Sequence, residues 1–247
     1  MRRIHTIVIT TMLLLLSSTP GMAMEKVTFA VGDWAPFLSQ SLEKNGPVCR
    51  IVLAACKEAG YEAKFKFMKW NRAINLVMKG KMAGTFPWSR TEEREQQGCL
   101  FPETPIFQNV EVVWFKKETF PNGLVVNNFS DLKSYSMVGL LGYWYEEEAK
   151  EAGIDLHTVT DEVAALKMLY SGRKDIWIEN QFVAQTKIKE VLGENASALG
   201  HSGPLKSTPL YLVLSKAHPQ GPTLQKKLNA IFKKFSEDGT IERMLNE

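Results

Sequence analysis

The chain has 247 residues, 45% of them apolar, with 30 Lys and Arg against 27 Asp and Glu, an ordinary balance for a globular protein of one large or two small domains. Taking Arg2 and Arg3 away with the leader described below leaves 28 basic side chains against 27 acidic. No basic excess remains to indicate nucleic acid or an anionic membrane as partner.

The first 23 residues read as a cleavable signal peptide: Arg2 and Arg3, an apolar run from Ile7 to Leu16, then Gly21, Met22 and Ala23 as a small-residue cleavage site. The run of about ten apolar residues falls short of the roughly 20 needed to span a bilayer. No cysteine follows it to carry a lipid. The expected location of the mature chain is the periplasm.

Val27 to Val31 reads as a buried strand, and Asn45-Gly46-Pro47 opens a helix, with proline at its first position and Gly60 just past its end. Cys49 and Cys56 lie seven apart in that helix, about 10 Å, too far to bridge without distortion. Any disulfide would therefore involve Cys99, and the expectation is three small buried hydrophobes. Tyr61 to Phe67 alternates as a strand, Asn71 to Lys79 forms a helix closed by Gly80, and Lys81 to Phe86 returns as a strand. This β-α-β-α-β rhythm predicts a parallel sheet covered by helices.

Directly after that strand comes Trp88-Ser-Arg-Thr-Glu-Glu-Arg94. A guanidinium matches a carboxylate bidentately, so Ser89 with Arg94 at the mouth of an α/β sheet would form an anion clamp. The alternative is a solvated helix start in which Glu92, Glu93 and Arg94 merely complement one another.

A strand from Val110 to Phe115 leads through a polar linker, Lys116 to Asn128, into a second series. There Ser136 to Leu141 is a strand, Gly142 to Tyr145 a turn, and Glu146 to Ala152 a helix opened by three glutamates that complement its dipole. Thr160 is the expected cap of a helix from Asp161 to Ser171. Asp175 to Glu179 is a strand feeding a helix that ends at Gly193. Leu210 to Ser215 returns as a strand to the first unit, and Leu224 to Phe235 and Thr240 to Leu245 form a last helix pair. The chain thus crosses twice between two α/β lobes. The histidines are scattered and zinc-ligand spacing is absent, so no metal and no cofactor is expected.

Taken together, Trp34-Ala-Pro-Phe37, Trp70-Asn-Arg72, Thr91-Glu-Glu-Arg94, Phe101 to Pro105, Asp131-Leu-Lys133 ahead of Val138 to Gly142, Gly172-Arg-Lys-Asp175 and Asp238-Gly-Thr240 carry a resemblance. In order and spacing the mature chain resembles the bacterial extracellular solute-binding proteins of family 3, the periplasmic components of polar amino-acid transporters. The resemblance implies a type II periplasmic-binding fold. It has two lobes, each a mostly parallel sheet flanked by helices, joined by two crossover strands that form a hinge near Val110 and Thr208. The implied division is 1–23 signal peptide, 24–109 plus 209–247 first lobe, and 110–208 second lobe.

Carried over by position, the resemblance implies that Trp34 and Trp70 sandwich the ligand and that Ser89 and Arg94 hold its carboxylate. It sets Tyr143 and Trp144 at the second lobe's helix N-terminus, where free N–H groups suit an anion. Asn180 stands where the family has an aspartate for the ligand's α-ammonium. Arg72 is a candidate second anion contact. An indole face suits an aromatic, aliphatic or cationic group. Three departures stand out. Ala83-Gly84 replaces a mainly structural aspartate, Pro87 replaces a small hydroxyl residue before the clamp, and neutral Asn180 supplies no charge. Strand alternation turns neighbouring Glu179 to the opposite face.

The implied function is capture of a small carboxylate-bearing solute, an amino acid or related compound, for an ABC transporter permease or a sensor protein, by a monomer without catalytic residues. The alternatives are an enzyme on the same fold, similar to cyclohexadienyl dehydratase, with Glu179 as the one evident general acid, and an orphan periplasmic sensor domain.

Overall fold

The computed structural model describes residues 24–246. The expected signal peptide, residues 1–23, lies outside the described residues. Among those described, no helix is long and apolar enough to cross a membrane.

The first half alternates strand and helix as the periodicity requires: β1 (Glu25–Val31), α1 (Pro47–Glu58), β2 (Tyr61–Phe67), α2 (Trp70–Met78), β3 (Gly84–Ser89), α3 (Glu92–Gln96) and β4 (Cys99–Leu100). Strands β1, β2 and β3 are parallel. Helix α1 buries Val48, Cys49, Ile51, Val52, Ala55 and Cys56, the three-and-four spacing of an apolar stripe laid on a sheet. All three cysteines are free and buried, and burial pushes the Cys49 and Cys56 thiols up to about 12.

The second half runs β5 (Phe107–Lys116), β6 (Met137–Leu140), α4 (Tyr145–Ala152), β7 (Leu156–Val159), α5 (Glu162–Tyr170), β8 (Ile176–Asn180) and α6 (Gln181–Leu192). Then β9 (Leu199–Ser215) returns, followed by α7 (Gly221–Glu237) and α8 (Thr240–Asn246). The strand order is β2-β1-β3-β9-β5-β8-β6-β7, with β4 on β9. Strands β6, β7 and β8 are parallel, while β5 runs antiparallel to β8 and to β9.

The buried residues on this continuous ladder fall into separate groups in its two halves, with a small further cluster of Ile74, Val77, Cys99, Phe101 and Val213 beside the first. One gathers Phe29, Leu38, Ile51, Phe86, Leu212 and Phe232 with their neighbours. The other lies on both faces of the β5-β8-β6 sheet, around Trp177 and Leu166 on one side and Met137, Tyr145 and Ile178 on the other. Strands β5 and β9 belong to both, joined by pairs that include Asn109 with Thr208 and Val110 with Ser207.

Strand β9 starts eleven residues before the expected Leu210. Its first part carries Gly200, Gly203, Pro204 and Pro209, residues that weaken a strand signal. They are tolerated because Leu199 to Pro209 pairs on one side only, with β5, and Pro204 sits at a register shift. Strand β5 likewise begins at Phe107, and β7 had no periodicity to announce it. The cap of α5 is Asp161, which accepts from the Ala164 N–H at 2.9 Å, and not Thr160, which lies one residue too early to reach the first turn.

Candidate functional site

Strand β3 is buried through Pro87 and surfaces at Trp88 and Ser89. Thr91 then caps α3, its hydroxyl accepting from the Arg94 N–H at 3.3 Å. That cap turns the Arg94 side chain back over the end of β3. Its Nη1 donates to the Ser89 carbonyl at 2.7 Å and to the Ser89 hydroxyl at 2.8 Å, and its guanidinium lies 4.9 Å from the Trp88 ring.

The nearby carboxylates are engaged elsewhere. Glu95 pairs with Arg90 at 2.6 Å, Glu92 accepts from Gln96 and Glu93 from Gln97. Arg94 therefore forms no ion pair among the described residues, and its Nε and Nη2 keep their donors. Those donors are what a carboxylate accepts from in fork geometry. The mutual-complement alternative for this segment does not describe the geometry.

Next to this Ser89–Arg94 pair lies a cleft of about 300 Å³, walled by Trp34, Trp70, Asn71, Pro87 and Trp88 from the first half and by Tyr143 and Leu210 from the second. Trp70 stands edge-on to Trp88 with centroids 5.6 Å apart. Its ring lies against Gly32, where an added Cβ would come within 2.2 Å of it. Trp34 packs on Phe37 at 4.7 Å and on Phe107 at 5.9 Å. The result is a small aromatic chamber; Ser89 and Arg94 are not among its lining residues and adjoin it through Trp88.

Other expected residues lie away from this chamber. Arg72 is exposed on α2 and does not line the cleft. Trp144 turns into the second half: its indole donates to Glu111 Oε1 at 2.8 Å, and Lys206 Nζ sits 3.3 Å from its ring. Trp144 is the N-cap residue of α4 and its side chain makes no capping bond, while just before the helix the Gly142 N–H donates to Glu146 and the Leu140 N–H to the Tyr145 hydroxyl.

Asn180 is 2% exposed and caps α6, accepting from Phe182 N–H at 2.9 Å and Val183 N–H at 3.0 Å. Its Nδ2 donates to Asn109 Oδ1 at 2.6 Å, so α6 and β5 are tied together through this one amide.

Glu179 is equally buried. Its Oε1 accepts from the Asn180 N–H at 2.8 Å, and its Oε2 has no partner among the described residues. Burial pushes its carboxyl up to about 8 against that backbone bond, with Glu162 and Glu111 adding to the rise. Burial, then the Glu179 charge, raises the Tyr143 phenol as well.

Sequence reasoning passed over Trp88, Asn71, Pro87 and Leu210 as cleft walls. Trp88 had a signal in its adjacency to Ser89, whereas Leu210 reaches the cleft only through the pairing of β9 with β3. No group of three or more potential metal-ligating side chains occurs among the described residues.

Comparison with known proteins bears on the fold and the lineage. The chain is similar to the solved structure of an ancestral arginine-binding protein bound to arginine, with a TM-score of 0.67 and 23% identity over 91% of this chain and 98% of that one. It is similar to the GluR0 ligand-binding core in complex with L-glutamate, with a TM-score of 0.68 and 18% identity over 91% and 100%. It is also similar to the ancestral amino-acid-binding protein AncCDT-1, a precursor of cyclohexadienyl dehydratase, with a TM-score of 0.63 and 23% identity over 89% and 94%. At these identities the likeness establishes the type II periplasmic-binding fold. No curated protein matches the sequence. Residues 28–247 match the profile of one family along nearly the whole chain, and the protein belongs to the bacterial extracellular solute-binding proteins, family 3.

Proposed function

We propose that this chain is a periplasmic binding protein that holds a small carboxylate-bearing solute, an amino acid or a related compound, between its lobes and presents it to an ABC transporter permease. The observation that carries this reading is the Arg94 guanidinium, seated on Ser89 beside the aromatic cleft with no carboxylate of its own. Trp34 and Trp70 take the apolar part of the solute, and Tyr143 closes over it. The lobes comprise 24–109 plus 209–247 and 110–208, and they move about the Asn109–Thr208 and Val110–Ser207 pairs. Ligand closes the lobes by binding the closed arrangement more tightly than the open one. Similarity to proteins whose structures hold arginine and L-glutamate supports an amino-acid-like ligand.

A second reading, an enzyme of the dehydratase type, has one observation in its favour: Glu179 is held protonated near neutral pH, as a general acid must be. Against it, Glu179 is 2% exposed and does not line the cleft.

The test is the thermal shift of the mature protein against amino acids, dicarboxylates and cyclic carboxylates, with Arg94→Ala as control. A ligand at about 100 times its Kd adds about 2.7 kcal/mol of stability. A shift lost in Arg94→Ala, with the ligand recovered unchanged, is the expected result. Consumption of the ligand would establish the enzyme instead, and a shift that survives in Arg94→Ala would overturn the clamp.

A further inference from the structure

A groove of about 460 Å³ opens on the first lobe, where Phe37, Phe107, Ile241 and Leu245 give it an apolar wall. One side chain of the second lobe reaches it. Phe182, in the first turn of α6, is the sole member of 110–208 among the described residues that line the groove. Its ring meets Phe37 edge-on with centroids 6.1 Å apart. Beside it in the helix, Val183 is 2% exposed and is buried in the same core as Phe29 and Phe86 of the first lobe.

The turn that carries these two side chains is fixed where the chain crosses between lobes. Asn180 Oδ1 accepts from the N–H groups of both Phe182 and Val183, and its Nδ2 donates to Asn109 on β5 at 2.6 Å. Asn109 is itself paired with Thr208 on β9. Asn180, Phe182 and Val183 thus engage the first lobe by a hydrogen bond, an aromatic edge and a buried aliphatic contact.

Phe37 stands in the middle of an aromatic row. It stacks on Phe107 at 4.8 Å and packs on Trp34 at 4.7 Å, and Trp34 walls the cleft. One ring therefore separates the Phe182 contact from the cleft. Phe182 is 49% exposed, so its ring can leave the groove without unpacking either core, whereas Val183 is enclosed. A contact that must break when the lobes rotate sets the balance between their arrangements.

We propose that the first turn of α6 is a latch between the lobes, with Val183 as its pivot and Phe182 on Phe37 as the part that releases. The latch holds the lobes in their present arrangement before any solute binds, and opening withdraws Phe182 from the groove. This rests on the division into lobes proposed above and on no particular ligand.

The test is the distance between paired spin labels in the mature protein without ligand, read by double electron–electron resonance. Labels at Lys79→Cys and Lys150→Cys, both exposed, report across the lobes, and labels at Lys79→Cys and Lys226→Cys report within the first. The native cysteines are buried, with thiols raised above their ordinary range, which leaves the introduced thiols as the reactive ones. Loss of one aromatic contact should raise the ratio of open to latched molecules about tenfold. Phe182→Ala should therefore add a longer distance between lobes, Phe182→Tyr should return the parent distribution, and the pair within the first lobe should not move. Pro209→Gly, which loosens β9 at the crossing, gives the reference for lobe motion. If Pro209→Gly lengthens the distance and Phe182→Ala leaves it unchanged or shortens it, the latch is overturned and the lobes stand. If neither variant lengthens it, the division into lobes falls and the latch with it.

Discussion

Arg94 and Ser89 are joined twice, Nη1 donating to the carbonyl at 2.7 Å and to the hydroxyl at 2.8 Å. The serine thus holds the guanidinium beside Trp88, while Nε and Nη2 of the arginine donate to no protein group among the described residues. A side chain held in its binding rotamer before the ligand arrives loses little entropy when the ligand binds.

Arg94→Ala should weaken solute binding about 100-fold, since hydrogen bonds to charged groups contribute about 1.5–3 kcal/mol each. Arg94→Lys should restore only part of this, because an ammonium cannot donate as a fork. Titration calorimetry on both variants checks the order. The unfolding midpoint of Arg94→Ala without ligand should also fall, as it removes the two hydrogen bonds to Ser89 and the contact with Trp88.

Gly32→Ala tests the seat of Trp70. A Cβ at Gly32 would lie 2.2 Å from the indole, so the ring must leave its place on the cleft wall. Overpacking of this kind costs about 1–3 kcal/mol. The variant should be less stable in denaturant and should also lose ligand affinity, although residue 32 itself touches no solute.

Asn180→Ala removes the cap of α6 and its link to Asn109. Loss of an N-cap costs about 0.5–2 kcal/mol. Asn180→Asp retains an acceptor for the same two N–H groups and should keep most of the stability. Urea unfolding of the pair distinguishes the cap from any role in binding.

Glu179 sets a pH dependence of stability. Its carboxyl titrates near 8 in the folded chain and near 4.3 when unfolded, so between these values the folded state binds the extra proton. Stability is therefore greatest below the lower value and falls as pH rises toward 8, then levels off. Glu111, raised by burial in the same direction, adds to the slope. Glu179→Gln should flatten the fall between pH 5 and 8, measured as unfolding free energy at fixed ionic strength.

The strands and helices of the first half were legible because each buries one face, and burial writes a period into the residues that face the core. Pro47 at the start of α1 and Gly60 after its end mark its limits in the same local way. The pairing of Ser89 with Arg94 was legible too, since the two lie within one turn and a strand end of each other. The first eleven residues of β9 were not. Their glycines and prolines carry no strand preference, and the partner that makes them a strand, β5, lies far off in sequence.

Local patterning alone thus determined the α/β architecture and the nearness of Ser89 to Arg94, because both depend on neighbours within about ten residues. Tertiary structure alone decided which aromatics face the cleft, why Trp144 turns inward to Glu111 and Lys206, and why Asn180 spends its amide on α6 and Asn109. Those outcomes depend on which distant strand lies alongside, and on buried polar groups taking whatever partner the packing brings within reach.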